Sequence, residues 1–169
     1  AGKHVLCEKP MAATLDDAIA MTKAARQTDK NLMIAFHSRY GTSQIAAKRI
    51  MQSGDLGKIY YGETTTCRRR GAGGGTFERQ ETAGVGVIAD IGCYSLDTAL
   101  DLLGHPKPVR VSGTTALVIC PNPDSKVDGS WGHDPERIDV EEFGAAWVRF
   151  DNGMVLVFKA SWAIHGNSL

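Results

Sequence analysis

His4-Val5-Leu6-Cys7-Glu8-Lys9-Pro10 and, further on, Leu32-Met33-Ile34-Ala35-Phe36 decide how the first part of this chain folds. Residues 4–7 form a short strand signal that meets the Glu8-Lys9-Pro10 break. Thr14 can then cap a helix, with Asp17 three residues on completing a capping-box-like start that puts acid in the first turn. Leu15, Ala18, Ile19, Thr22 and Ala25 recur at three and four residues, which predicts one apolar face of a helix running to about Gln27. A polar turn over 28–31 leads into the apolar run 32–36, long enough for a strand. Strand, crossover helix, strand is the βαβ unit of a mostly parallel sheet.

Beyond His37-Ser38-Arg39-Tyr40-Gly41 the pattern changes. A helix is expected over about 43–52, burying Ile45, Ala46, Ile50 and the stem of Arg49, and stopped by Gly54 in the left-handed conformation. A β run follows over 58–68, then a glycine-rich irregular stretch over 68–86 and the short apolar segment 87–90. A helix over about 93–103 is stopped by Gly104 and Pro106. Three strands are expected over 109–120, 140–150 and 154–163, the last two joined by Asp151-Asn152-Gly153, with Asn-Gly supplying the positive φ angles of a tight hairpin. Met154, Leu156, Phe158, Ala160 and Trp162 fall on one face of the last strand and Lys159 and Ser161 on the other, the period-two sign of a half-buried antiparallel sheet. The fold class is therefore α/β plus α+β, with a boundary near residue 40. Residues 1–40 read as the C-terminal part of a parallel α/β domain, and residues 41–169 as a domain with an open, mainly antiparallel sheet. Apolar residues lie close to both termini, so both ends read as cuts.

The composition narrows the function. The 169 residues carry 19 Lys+Arg against 19 Asp+Glu, and this neutral balance removes the long-range attraction that nucleic acid or an anionic membrane surface requires. No apolar run approaches the ~18–20 residues that span a bilayer. Cys7, Cys67, Cys93 and Cys120 contain no C-x-x-C pair, so neither a disulfide scaffold nor a zinc ribbon is indicated, and a reduced, cytoplasmic setting fits. His4, His105, His133 and His165 have no mutual ligand spacing, and no metal is expected.

Two segments could carry chemistry. Glu8-Lys9-Pro10 stands where a parallel strand ends, the edge at which open α/β sheets place ligands; a Lys there can donate to a substrate hydroxyl or a cofactor ribose, with Pro10 fixing the backbone. The plain alternative is a solvated Lys paired with Glu8. In Asp90-Ile91-Gly92-Cys93-Tyr94-Ser95-Leu96-Asp97, positions 90, 94 and 97 share one face if the helix begins at or before Asp90. A phenol beside an ammonium group is a better proton carrier, because the positive charge stabilises phenolate, and a nearby carboxylate orients either partner. The plain alternative is an N-cap Asp, a packed Tyr and a surface Asp. His37 and Arg39 face the same crevice as Lys9 if the sheet order holds. Gly71-Ala72-Gly73-Gly74-Gly75 lacks the last Gly of a dinucleotide cradle and reads as a mobile substrate lid, while Arg68-Arg69-Arg70 reads as a solvated strand end. Trp131, Trp147 and Trp162 are expected in the core or at the sheet face, with sugar stacking as the minority use.

Taken together these segments resemble the Gfo/Idh/MocA family of NAD(P)-dependent oxidoreductases. The resemblance rests on Gly2-Lys3-His4-Val5-Leu6-Cys7-Glu8-Lys9-Pro10-Met11-Ala12, Phe36-His37-Ser38-Arg39-Tyr40, Ser53-Gly54-Asp55-Leu56-Gly57-Lys58-Ile59, Asp90 to Asp97, and Phe150-Asp151-Asn152-Gly153 in that order. It implies that 1–40 belong to a dinucleotide-binding Rossmann domain and 41–169 to a substrate-binding and oligomerisation domain, with the active site between them. It further implies hydride transfer between nicotinamide and a hydroxyl or carbonyl carbon of a sugar, cyclitol or related polyol. Lys9, Asp90 and Tyr94 take the catalytic roles, Glu8, Lys9, Pro10 and Arg39 the cofactor side, and Lys9, His37, Arg39, Asp90 and Tyr94 the substrate side. Tyr94 stands where many members have His, as in some sugar oxidoreductases of the family. The family's Gly-rich fingerprint would lie upstream of Ala1, so the resemblance implies NAD or NADP without choosing between them, and a homodimer or homotetramer formed through the open sheet. The alternative is a non-catalytic dimerisation or sugar-binding module built on the sheet of residues 109–162.

Overall fold

The computed structural model describes residues 2–129 and 131–164; His165 lies outside them. In the first part, β1 (Val5–Cys7) and β2 (Leu32–Ile34) pair in parallel, with Leu6 opposite Met33, and α1 (Leu15–Arg26) connects them. Thr14 caps α1 as expected, its side chain accepting from the Asp17 backbone N–H at 3.1 Å. The inward face of α1 differs from the expected one. Ala18, Met21, Thr22 and Ala25 are half-buried while Leu15 and Ile19 stay exposed, because a sheet of two strands is too narrow to cover the whole apolar stripe. Val5, Leu6 and Met33 are exposed for the same reason. β2 is shorter than expected, since the chain turns away at Ala35-Phe36 into a 3₁₀ turn over His37–Tyr40.

The second part is built on a four-stranded sheet of order β3-β8-β7-β5, comprising β3 (Tyr61–Cys67), β5 (Pro108–Ala116), β7 (Phe143–Phe150) and β8 (Val155–Ser161). Both β5·β7 and β7·β8 are antiparallel, and β3 joins β8 in parallel. The alternation expected for the last strand holds: Met154, Leu156, Phe158, Ala160 and Trp162 are all buried. Asp151-Asn152-Gly153 joins β7 to β8 as expected, but of the Asn-Gly pair only Gly153 takes a positive φ; Asn152 instead accepts the Met154 N–H through its side chain.

α2 (Thr42–Ser53) ends at Gly54 as predicted, but Ile45, Ala46, Arg49 and Ile50 point outward. Its inner side is set by Gln44, Ala47, Lys48 and Met51 against α4 (Cys93–Leu102), where Lys48 donates to both oxygens of Asp101 at 2.8 Å.

A π-helical turn over Ile88–Gly92 runs straight into α4, so the helix begins before Asp90, the condition under which residues 90, 94 and 97 share a face. Gly92 is required there. An added Cβ would stand 2.8 Å from Phe158 Cζ and 2.9 Å from Ala160 Cβ, so only glycine lets the helix descend onto β8. Residues Gln80–Leu102 make a run of 23 residues long and apolar enough to cross a membrane by length and composition, which the sequence had not been expected to contain. Its apolar side is spent on the sheet, and its polar side holds Asp90, Asp97 and Asp101 in ion pairs.

The glycine-rich stretch is not a free lid. Gly71–Ala72 (β4) pairs in parallel with Asp128–Gly129 (β6), and Ala72, Gly73 and Gly74 are buried. The strand expected to reach Cys120 stops at Ala116, where the buried carboxylate of Glu142 accepts the N–H groups of Val118, Ile119 and Cys120 at 3.1, 2.6 and 2.5 Å and bends the chain away.

Candidate active site

Lys9 follows β1 on the cis Lys9–Pro10 turn, and its ammonium crosses to the start of the long helix. Nζ donates to the Asp90 backbone oxygen at 2.6 Å and to Asp90 Oδ1 at 3.1 Å. The two side chains are only 13% and 14% exposed, so this is a largely desolvated pair. Glu8 is not its partner, as the plain alternative had it. Its exposed carboxylate accepts the Lys9 backbone N–H at 3.3 Å instead. An ammonium group has three donors, and two are taken by Asp90.

Asp90 is held from its other side by a residue the sequence did not place in the site. Trp162 Nε1 donates to Asp90 Oδ2 at 2.9 Å, and the indole is fully buried. Its position on the inner face of the last strand was legible. The demand of a buried indole N–H for an acceptor was the signal that could have pointed to Asp90.

Tyr94 lies one helical turn beyond Asp90, and Lys9 Nζ sits 4.7 Å from its ring centroid. The ammonium thus meets the ring face, not the phenol oxygen. The His37 ring is 5.4 Å from that of Tyr94 and tilted by 56°. Asp90, Lys9, Tyr94 and His37 are therefore brought together. Arg39 is committed elsewhere: Nε and a terminal nitrogen grip Asp97 at 2.7 and 2.5 Å, and Asp101 stands 3.7 Å away. This fork raises the Arg39 pKa, chiefly through the Asp97 hydrogen bond, and ties the segment after β2 to α4. The Lys48 hydrogen bond holds the Asp101 carboxyl below its usual range. Cys93 is near the pair, its sulfur 3.5 Å from the Asp90 carbonyl, but burial raises its thiol pKa despite Lys9, which makes it a poor nucleophile.

The Lys9–Asp90 pair opens into a cleft of about 200 Å³ shared with Pro10, Thr76, Phe77 and Thr82. Tyr94 lines a different hollow of about 350 Å³ with Ser38, Gln44, Glu63 and Thr64. Of the tryptophans, Trp162 is buried, while Trp131 is 67% and Trp147 47% exposed, so neither of the latter two is a core residue. Trp131 stacks on Phe77 with centroids 5.1 Å apart. Arg68, Arg69 and Arg70 are exposed, as expected of a solvated strand end.

The family model of the GFO/IDH/MocA C-terminal domain matches residues 45–168, and that of the oxidoreductase family's NAD-binding Rossmann fold matches residues 1–36. The chain belongs to the GFO/IDH/MocA family. Within it, the chain is 34% identical over 166 residues to D-glucoside 3-dehydrogenase of Escherichia coli, covering 98% of this chain and 47% of that protein. It is 29% identical over 180 residues to levoglucosan dehydrogenase of Pseudarthrobacter phenanthrenivorans, covering 99% and 45%. A solved levoglucosan dehydrogenase in complex with NADH and levoglucosan superposes with a TM-score of 0.78 at 28% identity, covering 99% of this chain and 43% of that one. The chain thus spans about half the length of the curated relatives it matches.

Proposed function

We propose that this chain is the catalytic part of a nicotinamide-dependent oxidoreductase that interconverts a hydroxyl and a carbonyl on a sugar, cyclitol or related polyol. The observation that carries this is the Lys9 ammonium, fixed by two bonds to Asp90 at 2.6 and 3.1 Å where the two residues line the adjoining cleft. Asp90, itself braced by Trp162, orients Lys9 and offers its remaining lone pairs to a substrate hydroxyl. Lys9, whose ammonium borders both the cleft and the Tyr94 ring, polarises the reacting oxygen, and Tyr94 on the other side of that ammonium is assigned the exchange of the hydroxyl proton. His37 packs beside Tyr94 on the substrate side, and Arg39, locked on Asp97, acts by positioning its segment.

NAD or NADP fits the edge formed by Glu8, Lys9, Pro10 and the residues after β2, because both parallel strands present their carboxyl ends there. When bound, the nicotinamide accepts or returns the hydride. Residues 1–40 are then the end of the cofactor domain and 41–169 the substrate-binding domain. The Rossmann and C-terminal family matches on either side of that boundary support this division, and the names of the relatives support the substrate class. The sheet face carrying Tyr61 and Trp147, both exposed, is the surface through which the protein forms a homodimer or homotetramer. A cytoplasmic setting agrees with four free cysteines.

The test is nicotinamide absorbance on the gene product that carries this chain, with both cofactors and a panel of sugars and cyclitols. Sugar-dependent reduction that disappears in Lys9→Met supports the assignment. Sugar binding without any change in nicotinamide redox state points to the non-catalytic sugar-binding module.

A further inference from the structure

Beside the Lys9–Asp90 cleft lies a second hollow of about 360 Å³, walled by residues 75–82 and 132–137. The two share Thr76 and Thr82, so they lie side by side. At about 200 Å³ the cleft alone falls short of the ~300–1,000 Å³ usual for small-molecule sites, and with its neighbour it reaches that range.

The second hollow is rigidly built. Glu78, only 2% exposed, accepts from His133 Nδ1 at 2.5 Å and from the Asp134 N–H at 3.3 Å, while His133 Nε2 reaches the Cys120 carbonyl at 2.9 Å. Gly75 donates to the Gly132 carbonyl at 3.2 Å, and Thr82 Oγ1 to the Thr76 carbonyl at 2.6 Å. These bonds hold the 75–82 and 131–134 segments together before any ligand arrives, which lowers the ordering cost of binding. The Phe77–Trp131 stack fixes the aromatic wall that the cleft presents. The hollow is lined by Arg79, which makes no ion pair among the described residues, and by Arg137, which pairs with Asp134 at 3.3 Å. Glu78 is matched by His133 and Asp134 by Arg137, and the Arg79 guanidinium and the Thr76 and Thr82 side chains stand beside them, so that donors and acceptors line the hollow together. Hydroxyl groups, which both donate and accept, match such a lining.

We propose that this hollow is a second sugar subsite, so that the substrate is a glycoside of two rings: one ring reacts at Lys9 and Asp90, and the other lies between Arg79 and Arg137. The inference rests on the sugar-oxidoreductase assignment and names its substrate class. Trp131 acts here as a positioning residue, through Phe77.

Saturation-transfer NMR and calorimetric titration of the gene product that carries this chain, with cofactor present, compare glucose, maltose, cellobiose and glucuronosyl-glucose. A disaccharide that uses both hollows is expected to bind roughly tenfold or more tightly than glucose, because hydrogen bonds to a charged donor are among the stronger ones. Its second ring should be saturated by protein protons. In Arg79→Ala, and separately in the exposed Arg137→Ala, the ratio of disaccharide to glucose affinity should collapse toward one. Glucose titration of each variant shows that the ratio, rather than folding, has changed. Equal binding of one and two rings, or a ratio unmoved by both substitutions, overturns the subsite while leaving the oxidoreductase assignment intact. A preference for glucuronosyl-glucose that depends on Arg79 overturns the neutral-sugar assignment in favour of an anion site. Failure of every sugar to bind overturns both conclusions.

Discussion

Replacing Tyr94 by Phe separates the two roles its position allows. The ring beneath Lys9 is retained, so the contact of Nζ 4.7 Å from the ring centroid survives, and the 2.6 and 3.1 Å bonds from Lys9 to Asp90 do not involve the phenol oxygen. Among the described residues that oxygen makes no hydrogen bond within the protein, so unfolding free energy should shift by no more than about 0.5 kcal/mol. What the substitution removes is the proposed proton carrier. General acid–base catalysis by one positioned group is typically worth about 100- to 10,000-fold, which at about 1.36 kcal/mol per tenfold is roughly 3 to 5.5 kcal/mol of barrier. Turnover in Tyr94→Phe should therefore fall by that factor with the urea midpoint unchanged, read as nicotinamide absorbance at saturating substrate alongside a denaturation curve. Turnover close to that of the unsubstituted protein would show that Tyr94 only packs under the ammonium, and would move the proton exchange to Lys9. A collapse in stability would show instead that the phenol has a structural partner.

Three further outcomes test the supports of the site. Trp162→Phe removes the 2.9 Å bond to Asp90 from a fully buried position, which should cost about 1.5–3 kcal/mol in a urea titration and loosen Lys9 enough to lower kcat/KM. Gly92→Ala forces a Cβ to within 2.8 Å of Phe158 Cζ and 2.9 Å of Ala160 Cβ, and the resulting overpacking should cost about 1–3 kcal/mol by the same assay; an unchanged midpoint would mean that the helix can lift off β8 freely. The Asp101 carboxyl is held low by Lys48, so its contribution is present above the unfolded carboxylate pKa and lost as pH falls through the lower folded value. Asp101→Asn should therefore destabilise at neutral pH, and its deficit should shrink as acid titrates the native carboxylate; a deficit constant down to the acid limit would refute the ion pair as its cause.

Two signals confined to a few neighbouring residues were read correctly. Thr14 and Asp17 set the start of α1, and the alternation from Met154 to Trp162 set the inner face of β8. Signals that needed a partner were misread. The apolar stripe of α2 pointed to the wrong face, because α2 packs on α4 through Gln44, Ala47, Lys48 and Met51; that of α1 was right at Ala18, Thr22 and Ala25 but not at Leu15 and Ile19, which a sheet of two strands leaves exposed. The glycine run looked mobile because the strand that pins it, Asp128–Gly129, lies far along the chain.

The site divides in the same way. By itself the sequence determined which residues were candidates for chemistry: a Lys at the end of a parallel strand, and an Asp and a Tyr one turn apart at the head of a helix. Only the tertiary structure decided what each one touches. Lys9 and Asp90 are separated by 81 residues, Asp90 and Trp162 by 72, and Arg39 and Asp97 by 58. Spacing along the chain fixes neighbours on one helix or strand, whereas these bonds exist because the long helix descends onto β8 at Gly92 and presents Asp90 to the turn after β1. That descent also sets the ammonium on the face of Tyr94, and the Lys9–Asp90 cleft lies beside the hollow with which it shares Thr76 and Thr82. Such placement follows from packing between distant segments, which no local pattern of residues encodes.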